Sequence, residues 1–240
     1  MKKTWQFISI ILLVLLTFLL GDYFDRLHQR EKIVRTAIRI YPMNKNFIEI
    51  AEVSRLIKLK DSTNSAVKVQ ELEKILEENA YIENAEVYRD LNGNLTAEVA
   101  QYKPIARVLG NQSFYIDEKG QKKPLSKHYT ERVVLVFGDY APQRQAALID
   151  LLQKINKDEQ LKHLISEIHL QSNDKAVLKL TDMPVAFVIE LKSGNLDETV
   201  HKLKTMHAYL VKKALQHAYR LIDLRYHNQA VCKKISNQPS

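Results

Sequence analysis

An uncharged apolar run opens the chain and constrains everything after it. In MKKTWQFISIILLVLLTFLLGDYF, two lysines precede a stretch from Trp5 to Leu20 whose only polar residues are Gln6, Ser9 and Thr17. The 21 residues from Thr4 to Phe24 would make roughly 30 Å of helix at ~1.5 Å per residue, the thickness of a bilayer core. Trp5 at one end and Tyr23 and Phe24 at the other suit the two interfacial belts. A cleaved signal peptide is the competing reading, but LLGDYFD presents no small-x-small cleavage site. The sequence therefore predicts a cytoplasmic tail 1–3, an uncleaved anchor 4–24 and a charged connector 25–33. Lys2 and Lys3 favour a cytoplasmic N-terminus, whereas Arg26, Arg30, Lys32 and Arg35 follow the apolar run and oppose it, so charge leaves the orientation open.

The formal charge of +8 lies mostly near this segment. Residues 1–60 hold eleven Lys/Arg against five Asp/Glu, and residues 61–240 hold 25 against 23. A basic stretch over 26–39 is attracted to anionic headgroups without any phosphate polymer, so nucleic acid is not expected as a partner.

Beyond the connector, the periodicity divides the chain at about residue 102. VRTAIRIYP alternates Thr36, Ile38 and Ile40 against Arg35, Ala37 and Arg39, and predicts a strand ending at Pro42. Asn46 with Glu49 three places on has the form of a capping box, opening a helix with Phe47, Ile50, Ser54 and Ile57 on one face. Val69, Leu72, Ile75 and Leu76 mark a second helix. In YIENAEVYRDLNGNLTAEVAQ, a three-residue loop Leu91-Asn92-Gly93 pairs Val87 with Ala97 and Ala85 with Val99, with Gly93 in the left-handed position. The alternative of a calcium loop fails, because Gln101 stands where a bidentate glutamate is required. Residues 34–102 thus read β-α-α-β-β, and residues 103–234 read as a strand-rich β-domain with two helices, Gln143–Asn156 and Leu196–Leu215, before a tail 235–240. The fold class is α+β.

The sequence offers no convincing catalytic constellation. Its eight histidines form no HExxH; GxSxG, SxxK and phosphate-cradling glycine loops are absent from it. His207 on an apolar helix face reads as a core histidine, and Asp158 with Glu159 as solvated charge. The single Cys232 excludes an internal disulfide and reads as a small packing residue, with an intermolecular thiol as the alternative. No enzyme, cofactor, metal or small-molecule substrate is expected.

Three blocks carry a resemblance. NAYIENAEVYRDLNGNLTAEVAQYKPIARVLG, then FYIDEKGQKKPLS, then IDLRYHNQAVCK are similar, in order and spacing, to the FtsQ/DivIB family of bacterial cell-division proteins in its Bacteroidetes-like form, over about residues 34–234. The resemblance implies a single-pass inner-membrane protein with a cytoplasmic N-terminus, a POTRA domain at 34–102 and a periplasmic β-domain at 103–234, gathered at the division septum. It implies a non-catalytic scaffold that joins FtsB/FtsL-like membrane proteins and helps control septal peptidoglycan synthesis. A POTRA-bearing chaperone or secretion and outer-membrane assembly component is the alternative. In the family the C-terminal strand of the β-domain is the docking edge for FtsB. The match of Ile222, Asp223, Leu224, Arg225 and Tyr226 to the family's hydrophobic-DLRY pattern nominates Asp223, Arg225, Tyr226, His227, Asn228, Ala230 and Val231 as partner-binding. On this reading Ile222, Leu224 and Tyr226 lie against the domain, Arg225 offers its charge to an acidic partner, and the ribbon's unpaired main-chain groups accept a foreign strand. The outer strands Val34–Tyr41 and Glu83–Asp90 are expected to make septal-recruitment contacts.

Overall fold

The computed structural model describes residues 2–28, 35–43, 45–61, 68–192, 196–227 and 229–235, with side chains over 10–23, 35–43, 45–58, 68–192, 196–227 and 229–235. Helix α1 runs Lys2–His28, and its described side chains, Ile10–Tyr23, are exposed. The anchor expected over 4–24 is only partly within them, and the connector residues 29–33 lie outside the described residues. Among the described residues no helix is long and apolar enough to cross a membrane.

The chain forms two compact units, Met1–Tyr102 with Ser126–Tyr129, and Lys103–Leu125 with Thr130–Ser240. In the first, β1 (Thr36–Tyr41), α2 (Ile50–Asp61), α3 (Val69–Glu77), β2 (Ile82–Arg89) and β3 (Leu95–Gln101) give a sheet of order β1-β3-β2. β3 is central, parallel to β1 and antiparallel to β2, with Val87 opposite Ala97 and Ala85 opposite Val99. Gly93 takes φ 78°, as the three-residue loop requires. The Asp90 carboxylate accepts from Asn92 N, Asn94 N and Asn94 Nδ2, so the loop's acid is spent on its own turn. One sheet face packs Ile40, Ala85, Val87, Leu95, Ala97 and Val99 against Val53, Ile57, Leu72 and Leu76.

The capping box at Asn46 does not form. α2 starts at Ile50, Glu52 N and Val53 N both donate to Glu49 O, and Asn46 Oδ1 is buried without a partner. Instead Gln101, on the last position of β3, organises the entry: its Oε1 accepts from Phe47 N at 2.5 Å and Ile48 N at 3.2 Å, and its Nε2 donates to Lys45 O at 3.0 Å. Phe47 and Ile48 therefore bury ahead of the helix, and Ile50, expected on the apolar face, is 54% exposed.

The second unit is a single nine-stranded sheet of order β12-β11-β10-β9-β8-β7-β4-β5-β6. Its elements are β4 (Pro104–Leu109), β5 (Phe114–Asp117), β6 (Lys122–Lys123), β7 (Val134–Phe137), α4 (Pro142–Lys157), α5 (Glu159–Leu164), β8 (Ile165–Leu170), β9 (Lys175–Leu180), β10 (Ala186–Glu190), α6 (Leu196–Lys212), β11 (Tyr219–Asp223) and β12 (Val231–Lys234). Pairs β7/β8 and β10/β11 are parallel, which demands crossovers; α4 with α5 supplies the first and α6 the second. Their apolar stripes, including Leu148, Leu151, Leu152 and Ile155 on α4 and Leu203 and Leu210 on α6, share one core with Val108, Val136, Ile168, Leu178, Phe187 and Ile222.

Two departures from expectation occur here. The domain has a third helix, α5, too short for periodicity to reveal. Asp158 is its N-cap, accepting from Gln160 N and Leu161 N, and pairs with Lys204 Nζ at 2.5 Å, so it is not merely solvated charge. The two-residue strand β6 was also not legible.

Candidate docking site

The end of the chain is placed by α6. That helix buries Leu203, His207 and Leu210, and Leu215 N closes on Leu210 O as the chain turns at Ala214, with φ 53°. The return lays β11 parallel to β10, with Phe187 opposite Ile222, and β12 then folds back antiparallel, with Ile222 opposite Cys232 and Asp223 opposite Val231. β11 is therefore bonded along both flanks. The expectation that the segment from Ile222 offers open main-chain groups is corrected: the edge at this end of the sheet belongs to β12, one of its two terminal strands, with β6 at the other end.

Two hydrogen bonds assign that edge atom by atom. Leu224 N donates to Val188 O, so the N–H groups of Ile222 and Leu224 face β10 and those of Leu221 and Asp223 face β12. Ile235 N donates inward to Ala218 O. With a period of two along an extended strand, Val231 and Lys233 turn their N–H and C=O groups toward β11, and Cys232 and Lys234 turn theirs to solvent. All four residues of β12 are exposed. The first unit's edge strand β2 is different: Glu77 Oε1 accepts from Ala85 N at 3.2 Å and Glu73 Oε1 from Val87 N at 2.9 Å, so α3 covers that edge with side chains.

The nominated residues do not form one continuous surface. Ile222 and Leu224 are buried, but the strand ends at Asp223 and Tyr226 is half exposed, so these three do not share one buried side. Arg225 is not free to meet a partner's acid. Its Nε and Nη2 donate to Asp223 Oδ1 at 2.9 Å and Oδ2 at 2.7 Å, a bidentate pair, and Arg225 N also donates to Asp223 Oδ1. Burial by itself raises the Asp223 carboxyl pKa, but the hydrogen bonds and charge of Arg225 outweigh it and hold the group below the usual carboxylate range. The same pairing raises Arg225. This side chain locks the turn leaving β11. Tyr226 O accepts from Lys202 Nζ at 3.0 Å, and His227 Nδ1 lies 3.4 Å from Glu198 Oε1, so both are tied back to α6. Asn228 lies outside the described residues. Ala230 packs partly against the core, and Val231 is exposed on the edge.

Cys232, read from sequence as a packing residue, is exposed on the edge strand. Sequence reasoning missed Lys233 and Lys234, which complete β12, and a groove of about 450 Å³ between α6 and the segment after β11, walled by Met206, Tyr209, Leu224 and Ala230 and rimmed by His201 and Lys202. The signal for the lysines was their place at the end of the final alternating segment. The groove had none, because it joins residues from two distant segments.

Two histidines away from this edge make close polar contacts. His207 is buried with Nε2 2.7 Å from Asp182 Oδ2, and His169 stacks on Phe137 at 4.6 Å while bonding Glu167. Among the described residues no group of three His, Cys, Asp or Glu side chains could hold a metal ion.

Comparison with known proteins gives a family match and likenesses among solved structures. No curated protein matches. A solved structure, the major extracytoplasmic domain of the trans isomer of the cell-division protein DivIB from Geobacillus stearothermophilus, shares 17% identity at a TM-score of 0.35, covering 47% of this chain and 96% of its own, a likeness too distant to transfer geometry. The model of the family described as FtsQ/DivIB, C-terminal related, matches residues 103–233, the whole of the nine-stranded sheet but for one residue of its edge. The chain, matched over more than half its length and through the strand that carries the open edge, belongs to the FtsQ/DivIB C-terminal related family.

Proposed function

We propose that this protein is a non-catalytic scaffold of bacterial cell division that captures FtsB/FtsL-like membrane proteins by adding one of their segments to β12, and so helps control septal peptidoglycan synthesis. Family membership supports the division role. The single observation that carries the docking mode is the outward N–H and C=O groups of Cys232 and Lys234 on a terminal strand exposed along its length. On this reading α1 is the signal anchor, with residues 4–24 in the inner membrane, the N-terminus cytoplasmic and both units periplasmic. The β-α-α-β-β unit acts as a POTRA domain whose outer strand β1 serves septal recruitment, β2 being covered along its edge by Glu73 and Glu77. Arg39, counted among the headgroup-binding cations, is engaged by Glu98 at 2.8 Å, which leaves membrane attraction to the cations before it.

The experiment is isolation of the full chain from membranes with identification of co-purifying single-pass proteins, alongside depletion of the chain in cells. Recovery of FtsB/FtsL-like proteins and filaments with unsplit septa are expected. Outer-membrane stress without filamentation, and recovery of assembly factors instead, would overturn the reading in favour of the secretion class.

A further inference from the structure

We propose that the β12 edge selects an acidic partner segment: two consecutive carboxylates opposite Lys233 and Lys234, with one apolar side chain beyond them seated in the groove beside α6. This deepens the docking reading above and rests on it.

The charge pattern is the first support. From Tyr219 to Ile235 the chain carries Arg220, Arg225, Lys233 and Lys234 against a single carboxylate, Asp223. Arg225 consumes that carboxylate through its bidentate pair. Glu198, the acid that reaches this end from α6, is taken by Lys202 at 2.7 Å and His227 at 3.4 Å. Among the described residues Lys233 and Lys234 have no carboxylate within ion-pair distance, and both are exposed. The edge therefore presents uncompensated positive charge beside open hydrogen-bonding groups.

Register supplies the second support. Lys233 lies opposite Leu221 and Lys234 opposite Tyr219, and successive strand residues point to opposite faces. Lys233 thus shares a face with Val231, and Lys234 shares the other with Cys232, the face on which Ile222 is buried toward α6. A strand laid alongside meets one ammonium on each face, so its complementary acids are adjacent in sequence. Toward the start of β12 the same strand passes Ala230, where the apolar walls Met206, Tyr209 and Leu224 are open to a side chain.

Edge lysines are also a device against self-association, since two copies pairing edge to edge would set lysines against lysines. An acidic segment converts that repulsion into selection: the same two charges exclude a second copy and admit the partner.

The test uses the full chain in detergent and three labelled seven-residue β-forming peptides of valine and threonine with a terminal phenylalanine. One has two central glutamates, one has two lysines there, and one has the glutamates with serine replacing phenylalanine. The glutamate peptide should bind at least tenfold more tightly than the lysine peptide at low salt, with the difference shrinking as salt shortens the screening length below about 10 Å. Serine for phenylalanine should weaken binding several-fold. Lys233→Glu with Lys234→Glu should invert the preference, and Arg225→Gln, which frees the Asp223 carboxylate, should reduce it without inverting it. Equal binding of the charged peptides, binding of neither, or no inversion in the double variant overturns the inference. Cys232→Pro separates the two ideas. If it abolishes binding that is indifferent to charge, the edge reading stands and acid selection falls. If charge-dependent binding survives it, strand addition itself falls.

Discussion

Cys232→Pro removes one outward N–H from β12 and no hydrogen bond between β12 and β11. The assignment follows from Leu224 N bonding Val188 O on one flank of β11 and Ile235 N bonding Ala218 O beyond β12. An added strand that used the Cys232 N–H would lose a bond worth about 0.5–1.5 kcal/mol and leave its own carbonyl stranded at about 1–3 kcal/mol. Together these amount to roughly 1.5–4.5 kcal/mol, or about tenfold to more than a thousandfold in affinity at ~1.4 kcal/mol per decade. Proline is tolerated on an edge strand where its nitrogen faces solvent, and the exposed Cys232 contributes little packing, so the stability of the free chain should change by no more than about 1 kcal/mol. Lys233→Pro is the matched opposite: its N–H faces β11, so it should lower stability by about 1–3 kcal/mol. The assay pairs the thermal midpoint of each full-length variant with the amount of partner it retains from membranes. Retention of partner by Cys232→Pro at the unmodified level, or loss of partner only in step with loss of fold, would refute the assignment of the edge.

Gln101→Leu should destabilise the first unit by about 2–4 kcal/mol in urea unfolding, because it strands the N–H groups of Phe47 and Ile48 in a site only 1% exposed; an unchanged midpoint would contradict the role given to Gln101. Gly138→Ala should cost about 2–4 kcal/mol, since the glycine sits at φ 101° and an added Cβ would meet Leu170 O at 2.5 Å; a neutral effect on unfolding would count against this packing at the β7 to α4 turn. Folding lowers the Asp223 pKa, so the folded state binds fewer protons there than the unfolded state. Its stabilisation is present above the ordinary carboxylate range and is lost as pH falls through the folded value. Arg225→Gln should flatten that acid limb of the stability curve, and an identical limb in both proteins would argue against the pair. This coupling also means that Arg225→Glu, an apparent charge reversal of the docking surface, would set two carboxylates together and perturb the fold.

What the sequence revealed and concealed follows from the range of each signal. The β2–β3 hairpin was legible to the register, because loop length, Gly93 and the alternation of Ala85, Val87, Ala97 and Val99 are all local. α4 and α6 were legible to within a few residues, because an apolar stripe reports on a packed face wherever that face lies. The start of α2 was misread because Gln101, more than fifty positions away, satisfies the N–H groups that a cap would have served. The identity of the open edge was concealed for the same reason. Nothing in IDLRYHNQAVC says which flank meets β10, since a strand bonded on two sides and one bonded on a single side share the same alternation. From sequence the charge of Arg225 goes to a partner's acid, whereas the turn out of β11 brings it into a bidentate pair with Asp223.

Amide hydrogen exchange at Cys232 and Lys234 in the full-length protein, alone and with its membrane partner bound, tests strand addition at β12 most directly. The account predicts that both amides exchange rapidly in the free protein, while Val231 and Lys233 are protected by β11, and that the partner slows Cys232 and Lys234 to the level of their neighbours. Rapid exchange at Cys232 and Lys234 in the saturated complex would contradict it.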